Sequence, residues 1–198
     1  MKIIEPVSSA LLITGCVYAA GFSQNSAFMH YFGVNRAFSQ PAIDKIFYDG
    51  GMITFELFVI HLFSVFLLFV AVFIGLLFAA LIMRKPLFTL FGEVYDKLSP
   101  VLSAFGKLAG FASLLYLIML TYLSFYKGQA DGEKMAKVFL DTCHLVAIKQ
   151  DGLEAKGCAF NKDRDSIWYY TLDGGVPEAN SKLLSELDQI KYLPPVSN

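Results

Sequence analysis

From Leu57 to Met83 the chain runs twenty-seven residues without an Asp, Glu, Lys or Arg, and then meets Arg84-Lys85-Pro86. About 20 apolar residues cross the hydrocarbon core of a bilayer at a helical rise of 1.5 Å per residue. The run is therefore long enough to span with tilt, and too long for a buried helix in an ordinary soluble domain. Only 17% of the residues are charged and 56% are hydrophobic, where an average soluble domain carries roughly 25% charge. Membrane residence accounts for both departures.

Two further segments have the required length. Val7 to Asn35 has no charged residue, and its first part, 7–28, reads as a span before Gly, Ser, Gln and Asn make it polar. Val101 to Tyr126 carries one charge, Lys107, near enough to the helix start for its ammonium to snorkel to the interface. The sequence thus predicts three spans, at about 7–28, 54–83 and 101–126, within a membrane domain covering 1–126. Residues 127–198 form a separate C-terminal domain.

Orientation follows from Lys and Arg in the short loops, because cytoplasmic loops carry the excess. Arg84, Lys85, Lys97 and Lys107 lie between the second and third spans, while the loop 24–51 holds only Arg36 and Lys45. The expected arrangement is a bacterial inner-membrane protein with its N-terminus cytoplasmic and its 127–198 domain periplasmic or extracellular. The net charge of -1 provides no basic surface, so nucleic acid is not an expected partner. The bilayer is, together with a protein partner or a second copy of the chain.

The cysteines give an independent reading of the compartment. Cys143 and Cys158 flank the turn signal Lys149-Gln150-Asp151-Gly152. A four-residue loop at 149–152 would set them directly opposite each other, whereas a two-residue Asp-Gly turn would pair Cys143 with Phe160 and leave the cysteines diagonal. A disulfide between them is expected, in an oxidising compartment such as the periplasm. Its loop of about 15 residues would stabilise the domain by roughly 3 kcal/mol in the chain-entropy picture. The third cysteine, Cys16, follows Ile13-Thr14-Gly15, which resembles the lipobox of bacterial lipoproteins over those four residues. That resemblance would imply cleavage before Cys16 and lipidation of its thiol.

Between the first two spans, 24–51 is rich in aromatics. Phe28, Tyr31, Phe32 and Phe38, with Arg36, are the candidate partner surface, since aromatics and Arg are common interface anchors. The bland reading is a segment lying on the outer interface. From 84 to 100, Leu87, Leu90, Phe91, Val94 and Leu98 recur at helical spacing opposite Glu93, Asp96 and Lys97. This predicts an amphipathic connector on the inner leaflet, ending near Pro100. Small residues recur four apart within the spans, as Gly15 and Ala19, Gly75 and Ala79, and Gly106 and Gly110. They are the expected helix-packing faces, because lipid gives no hydrophobic drive for pairing and close backbone approach must supply it.

In the tail, Val138 to Ile148, Leu153 to Phe160 and Ser166 to Leu172 read as a three-stranded meander, followed by a short helix over Pro177 to Leu187 and a returning strand over Asp188 to Leu193. Strand, Asp-Gly, a strand containing Gly157 and then Trp168-Tyr169-Tyr170 resembles small SH3-like barrels in spacing. The fold class is membrane α+β, with three transmembrane helices preceding a small disulfide-stapled β-rich extracytoplasmic domain.

The chemistry-bearing residues are sparse. His30, His61 and His144 are scattered without metal-ligand spacing. There is no Gly-rich phosphate loop, nucleophile elbow or His-Glu-x-x-His, so neither an enzyme, a cofactor nor a metal is expected. Glu56 and His61 are the ionisable groups in or near the second span, and such groups line pathways or bridge helices. Two functions follow. The first is a non-enzymatic protein that works by contact; accessory subunits of envelope complexes and membrane immunity proteins against toxins are similar in size and layout. The alternative is an oligomeric channel or transport subunit with a path near His61.

Overall fold

In the computed structural model, residues 4–35, 37–38, 41–83, 86–173, 176–194 and 196–197 are described, with side chains except those of 4–9, 83, 87, 90, 102, 104–109, 172–173, 176 and 196–197. Three helices lead into a β-rich region: α1 (Ile4–Tyr31), α2 (Ile43–Met83) and α3 (Leu87–Asp141). The chain divides into two compact units. One joins Met1–Thr54 to Thr121–Asn198, and the other is Phe55–Leu120.

Within the first unit, α1 runs antiparallel to the start of α2 and parallel to the end of α3. The alignment is fixed by glycines that let backbones touch. A Cβ added to Gly21 would collide with the Ile46 carbonyl, and one on Gly50 with the Val17 carbonyl. One on Gly128 would meet the Ala20 carbonyl, and one on Gly132 the Gln24 carbonyl. At the same crossing the Cys16 thiol, 2% exposed, donates to Ser124 Oγ at 3.5 Å and lies 3.8 Å from Thr54 Oγ1. Ser23 Oγ donates to the Phe125 carbonyl at 2.8 Å. The expected packing glycines are elsewhere. Among the described residues nothing lies within 4 Å of a Cβ built on Gly15, Gly75 or Gly110; Gly106 falls outside the residues whose side chains are described, and Ala79 is half-buried.

This packing bears on the expected first span. Among the described residues, two helical segments are long and apolar enough to cross a membrane, Ile43–Ile82 and Gly110–Asp141, rather than three. Residues 16–28 of α1 lie against parts of α2 and α3 that carry Asp44, Lys45 and Asp49, and Lys127, Asp131 and Glu133. From Cys16 onward, Cys16, Ala20, Phe28 and Met29 of α1 are buried on protein, whereas Leu11 and Ile13 before them are exposed.

Helix α3 also overrides its predicted boundaries. It passes through Pro100 and continues to Asp141, so the connector expected over 84–100, the third span and the polar stretch after 127 join one helix. A proline inside a helix removes one hydrogen bond and crowds the preceding turn, a cost tolerated in membrane helices. The domain boundary expected at 126 therefore falls inside a continuous helix.

The sheet follows. β1 (Thr142–Cys143) pairs with β7 (Val196–Ser197), while β2 (Leu145–Gln150), β3 (Leu153–Lys162), β4 (Ser166–Asp173), β5 (Val176–Leu183) and β6 (Gln189–Tyr192) form a five-stranded antiparallel sheet in the order β5-β4-β3-β2-β6. Four strands meander and the fifth returns to pair with the first. β2 and β3 are joined by Asp151-Gly152, both at positive φ (50° and 79°), as a tight hairpin of the twist-matching kind demands. The helix expected over Pro177 to Leu187 is instead β5 and a 3-10 turn, Leu184–Glu186. Pairing of β5 along β4 from Asp173↔Val176 to Ser166↔Leu183 outweighs local helix preference, and Pro177 is tolerated because β5 is an edge strand.

Both faces of the sheet are covered. One face sets Cys158, Phe160, Trp168 and Tyr170 against Phe28, Met29, Phe32, Val34 and Ala136 of the helical part. The other packs Val146, Ile148, Ile167 and Tyr169 beneath Leu184, Leu187 and Ile190. Residues 167–170 are buried in succession because alternate side chains enter different cores.

Candidate functional site

The sequence-derived site residues separate into three groups. Phe28 and Phe32, expected on an exposed contact surface, are core residues at 6% and 3% exposure. The Phe32 ring stacks on Phe160 and, at 5.5 Å between centroids, on Tyr170; Phe28 meets Phe139 edge-on at 5.5 Å. Their burial has a physical origin in β3. The register with β4 passes from Ala159↔Tyr169 to Asn161↔Trp168, leaving Phe160 as the extra residue of a bulge, and a bulge re-aims a side chain. Here the extra ring meets the end of α1. Asn161 then donates to Met29 Sδ at 3.6 Å and to Asp163 Oδ1 at 3.0 Å, while Trp168 Nε1 donates to Asp163 Oδ2 at 2.6 Å.

Tyr31 and Phe38 remain at the surface, 38% and 75% exposed, and Arg36 lies outside the described residues. Exposed Ile43, Tyr48 and Met52 follow on α2. Sequence reasoning identified the aromatic segment but not which rings face inward. The signal was present in the spacing of Phe28 and Phe32, four apart on one helical face, with Tyr31 beside them.

The cysteines form the expected disulfide, Cys143–Cys158, with Cα atoms 5.0 Å apart. It coexists with the two-residue turn, which pairs Leu145 with Cys158. The diagonal offset is bridged because the strand is interrupted at His144. Cys143 then belongs to β1, which pairs with β7, while the His144 carbonyl accepts from the Ala159 N–H at 2.9 Å. Tyr170, directly beside this staple, donates to the Phe139 and Leu140 carbonyls at 3.2 and 3.4 Å. Burial and the nearby Asp141 carboxylate raise its phenol pKa, and burial alone raises that of Tyr169.

In the second unit, His61 on α2 is half-buried beside Tyr116 on α3. Their rings are 6.0 Å apart, and the phenol oxygen lies 3.4 Å from His61 Nδ1. This is a long bond between adjacent helices. Glu56 is exposed on α2. Among the described residues no three His, Cys, Asp or Glu converge to hold a metal.

The first unit also holds an open cleft of about 750 Å³ between α1 and α3, with Phe22 and Phe125 at one end and His30, Glu133 and Asn35 at the other. Cys16, whose surroundings resemble a lipobox, is enclosed by the three helices with its thiol on Ser124 and Thr54. Together these features describe a membrane-associated protein with a disulfide-stabilised β domain. The chain matches no protein-family model, no curated protein and no solved structure.

Proposed function

We propose that this is a non-enzymatic inner-membrane protein that acts by protein contact on the extracytoplasmic side, its α2–α3 segment crossing the bilayer and returning. One observation carries the reading. The segment after α1 and the C-terminal sheet share a single core, so both belong on the same side of the membrane, the side that favours the Cys143–Cys158 disulfide. Basic residues Arg84 and Lys85 between the helices support a cytoplasmic turn.

With Phe28 and Phe32 committed to the core, the contact surface is the exposed strip Tyr31, Phe38, Ile43, Tyr48 and Met52. Exposed aromatic and aliphatic side chains gathered in one segment favour an interaction site. A conducting path through His61 is the less favoured reading, because Tyr116 already offers that imidazole a partner on the neighbouring helix.

Photo-crosslinking residues placed at Phe38 and Tyr48 in intact cells test this. The expected result is a protein adduct of one defined mass from both positions. Lipid adducts alone from both would reduce the strip to a membrane-lying surface and remove the contact reading.

A further inference from the structure

The cleft between α1 and α3 has an ordered lining. On α1 one row is Phe22, Ser26 and His30, recurring every fourth residue, with Ser23, Ala27 and Tyr31 in the row beside it, and on α3 the residues are Phe125, Gln129 and Glu133 at the same interval. Residues four apart share one face of a helix, so two parallel stripes face each other along roughly 12 Å of helix. The Phe22 row and the α3 stripe each read aromatic, then uncharged polar, then titratable in the same direction, while the flanking row ends in the amphipathic Tyr31. The turn carrying Gly33 and Asn35 supplies lining beyond the end of α1.

The aromatic end has a definite bearing in the chain. Phe22 and Phe125 lie on the side of the Cys16, Thr54 and Ser124 crossing, and Thr54 is three residues from the charge-free run of α2. The aromatic rings therefore face the bilayer end and the carboxylate the aqueous end. A volume of about 750 Å³ is within the range of small-molecule clefts. The gradient matches an amphiphile whose polar group points away from the membrane and whose chains leave past the rings.

Charge selects the head group. Glu133 supplies an acceptor for a cation, and His30, Ser26 and Gln129 supply hydrogen-bond donors suited to phosphate oxygens. No Lys or Arg is among the described residues that line the cleft, and Glu133 itself disfavours a head group with net negative charge. We propose that this cleft binds a zwitterionic phospholipid carrying a primary ammonium, a phosphatidylethanolamine, from the leaflet adjoining the β domain. The ammonium sits at Glu133 and the phosphate between Ser26, His30 and Gln129. The site needs no protein partner, although it shares Tyr31 with the aromatic strip at its outer edge.

The test uses the full-length protein, purified in detergent, exchanged against phosphatidylethanolamine, phosphatidylcholine or phosphatidylglycerol, and weighed by native mass spectrometry. One phosphatidylethanolamine should be retained preferentially. Glu133→Gln should weaken that retention about tenfold, as loss of a charge-assisted bond implies, and Phe125→Ala should also weaken it. Phe66→Ala, a change to an exposed residue of the second unit, should leave it intact. Equal retention of all three lipids, or no response to Glu133→Gln, would overturn the proposal and identify the bound lipid as annular. Tighter retention of phosphatidylglycerol would overturn it by reversing the charge preference.

Discussion

Phe32 stacks on Phe160 with ring centroids 4.0 Å apart and planes 14° from parallel, joining the end of α1 to the bulge of β3 although α2 and α3 intervene in the chain. Phe32→Ala should destabilise the first unit by about 3 to 5 kcal/mol, the usual cost of emptying a buried aromatic site. Phe38→Ala should change stability by less than about 0.5 kcal/mol, because that ring is exposed. Urea unfolding followed by the fluorescence of Trp168, the one tryptophan, measures both. Equal effects would mean that the stacking does not join the two regions.

The glycine contacts make a sharper comparison. Ala at Gly21, Gly50 or Gly128 would drive a methyl group into the backbone of a neighbouring helix, and each should cost about 1 to 3 kcal/mol or more through overpacking. Ala at Gly75 or Gly110 meets nothing within 4 Å and should be neutral, or slightly favourable through helix propensity. Thermal unfolding of the five variants in one detergent ranks them. A loss at Gly75 with none at Gly21 would restore the packing faces read from the sequence.

Cys143→Ser with Cys158→Ser should lower stability by about 3 kcal/mol, the chain-entropy value for a closed loop of this size. In intact cells, a membrane-impermeant maleimide should label these two cysteines only after reduction and should spare Cys16, whose thiol is enclosed. Labelling that requires opening of the inner membrane would put the β domain in the cytoplasm. A lipid-derived mass increment on Cys16 would restore the lipobox reading.

Alkali should unfold the first unit. Burial raises the phenol pKa values of Tyr169 and Tyr170 above the ordinary 10.0, and Asp141 adds to the rise at Tyr170. The folded state then keeps protons that the unfolded chain releases, so their stabilisation is complete below about pH 10 and lost as pH climbs through the raised values. Tyr170→Phe should flatten this alkaline decline and cost about 1 kcal/mol near neutrality through the lost bonds to Phe139 and Leu140. The two variant curves should converge as pH rises; a parallel offset at every pH would remove Tyr170 from the titration.

The Gln24 amide oxygen is buried with no hydrogen-bond partner among the described residues. Gln24→Met keeps the length and removes the orphaned acceptor, so it should be neutral or stabilising by about 1 kcal/mol. A clear loss of melting temperature would show that the oxygen is satisfied in solution.

Much of this architecture is written locally. The charge-free run of α2, the Asp151-Gly152 turn, the pairable cysteines and the returning strand β6 each depend on neighbours close in sequence. The role of α1 does not. An apolar stretch such as 7–28 reads the same whether lipid or protein covers it, and its cover here comes from Gly50, Gly128 and Gly132 in other helices. The pair Gly128 and Gly132 has the small-residue spacing of a helix contact, yet it sits in a charged segment, where a search confined to apolar runs passes over it. Phe28 and Phe32 were legible as aromatic anchors but not as buried ones, because Phe160 and Tyr170 meet them from far along the chain. β5 failed for the opposite reason: its composition permits a helix, and only the open edge of β4 turns it into a strand.

The shared core also sets an order of assembly. The end of α1 contributes Phe28, Met29, Phe32 and Val34, but their partners on β3 and β4 are made last. During synthesis these rings wait without their cover while α2 and α3 emerge, and the core closes only around an intervening segment already made. Contacts so distant in sequence form slowly, and apolar groups left open in the meantime invite misassociation. The first unit is thus a discontinuous domain, and completion of its fold reports that the long apolar segment inserted within it has already been made.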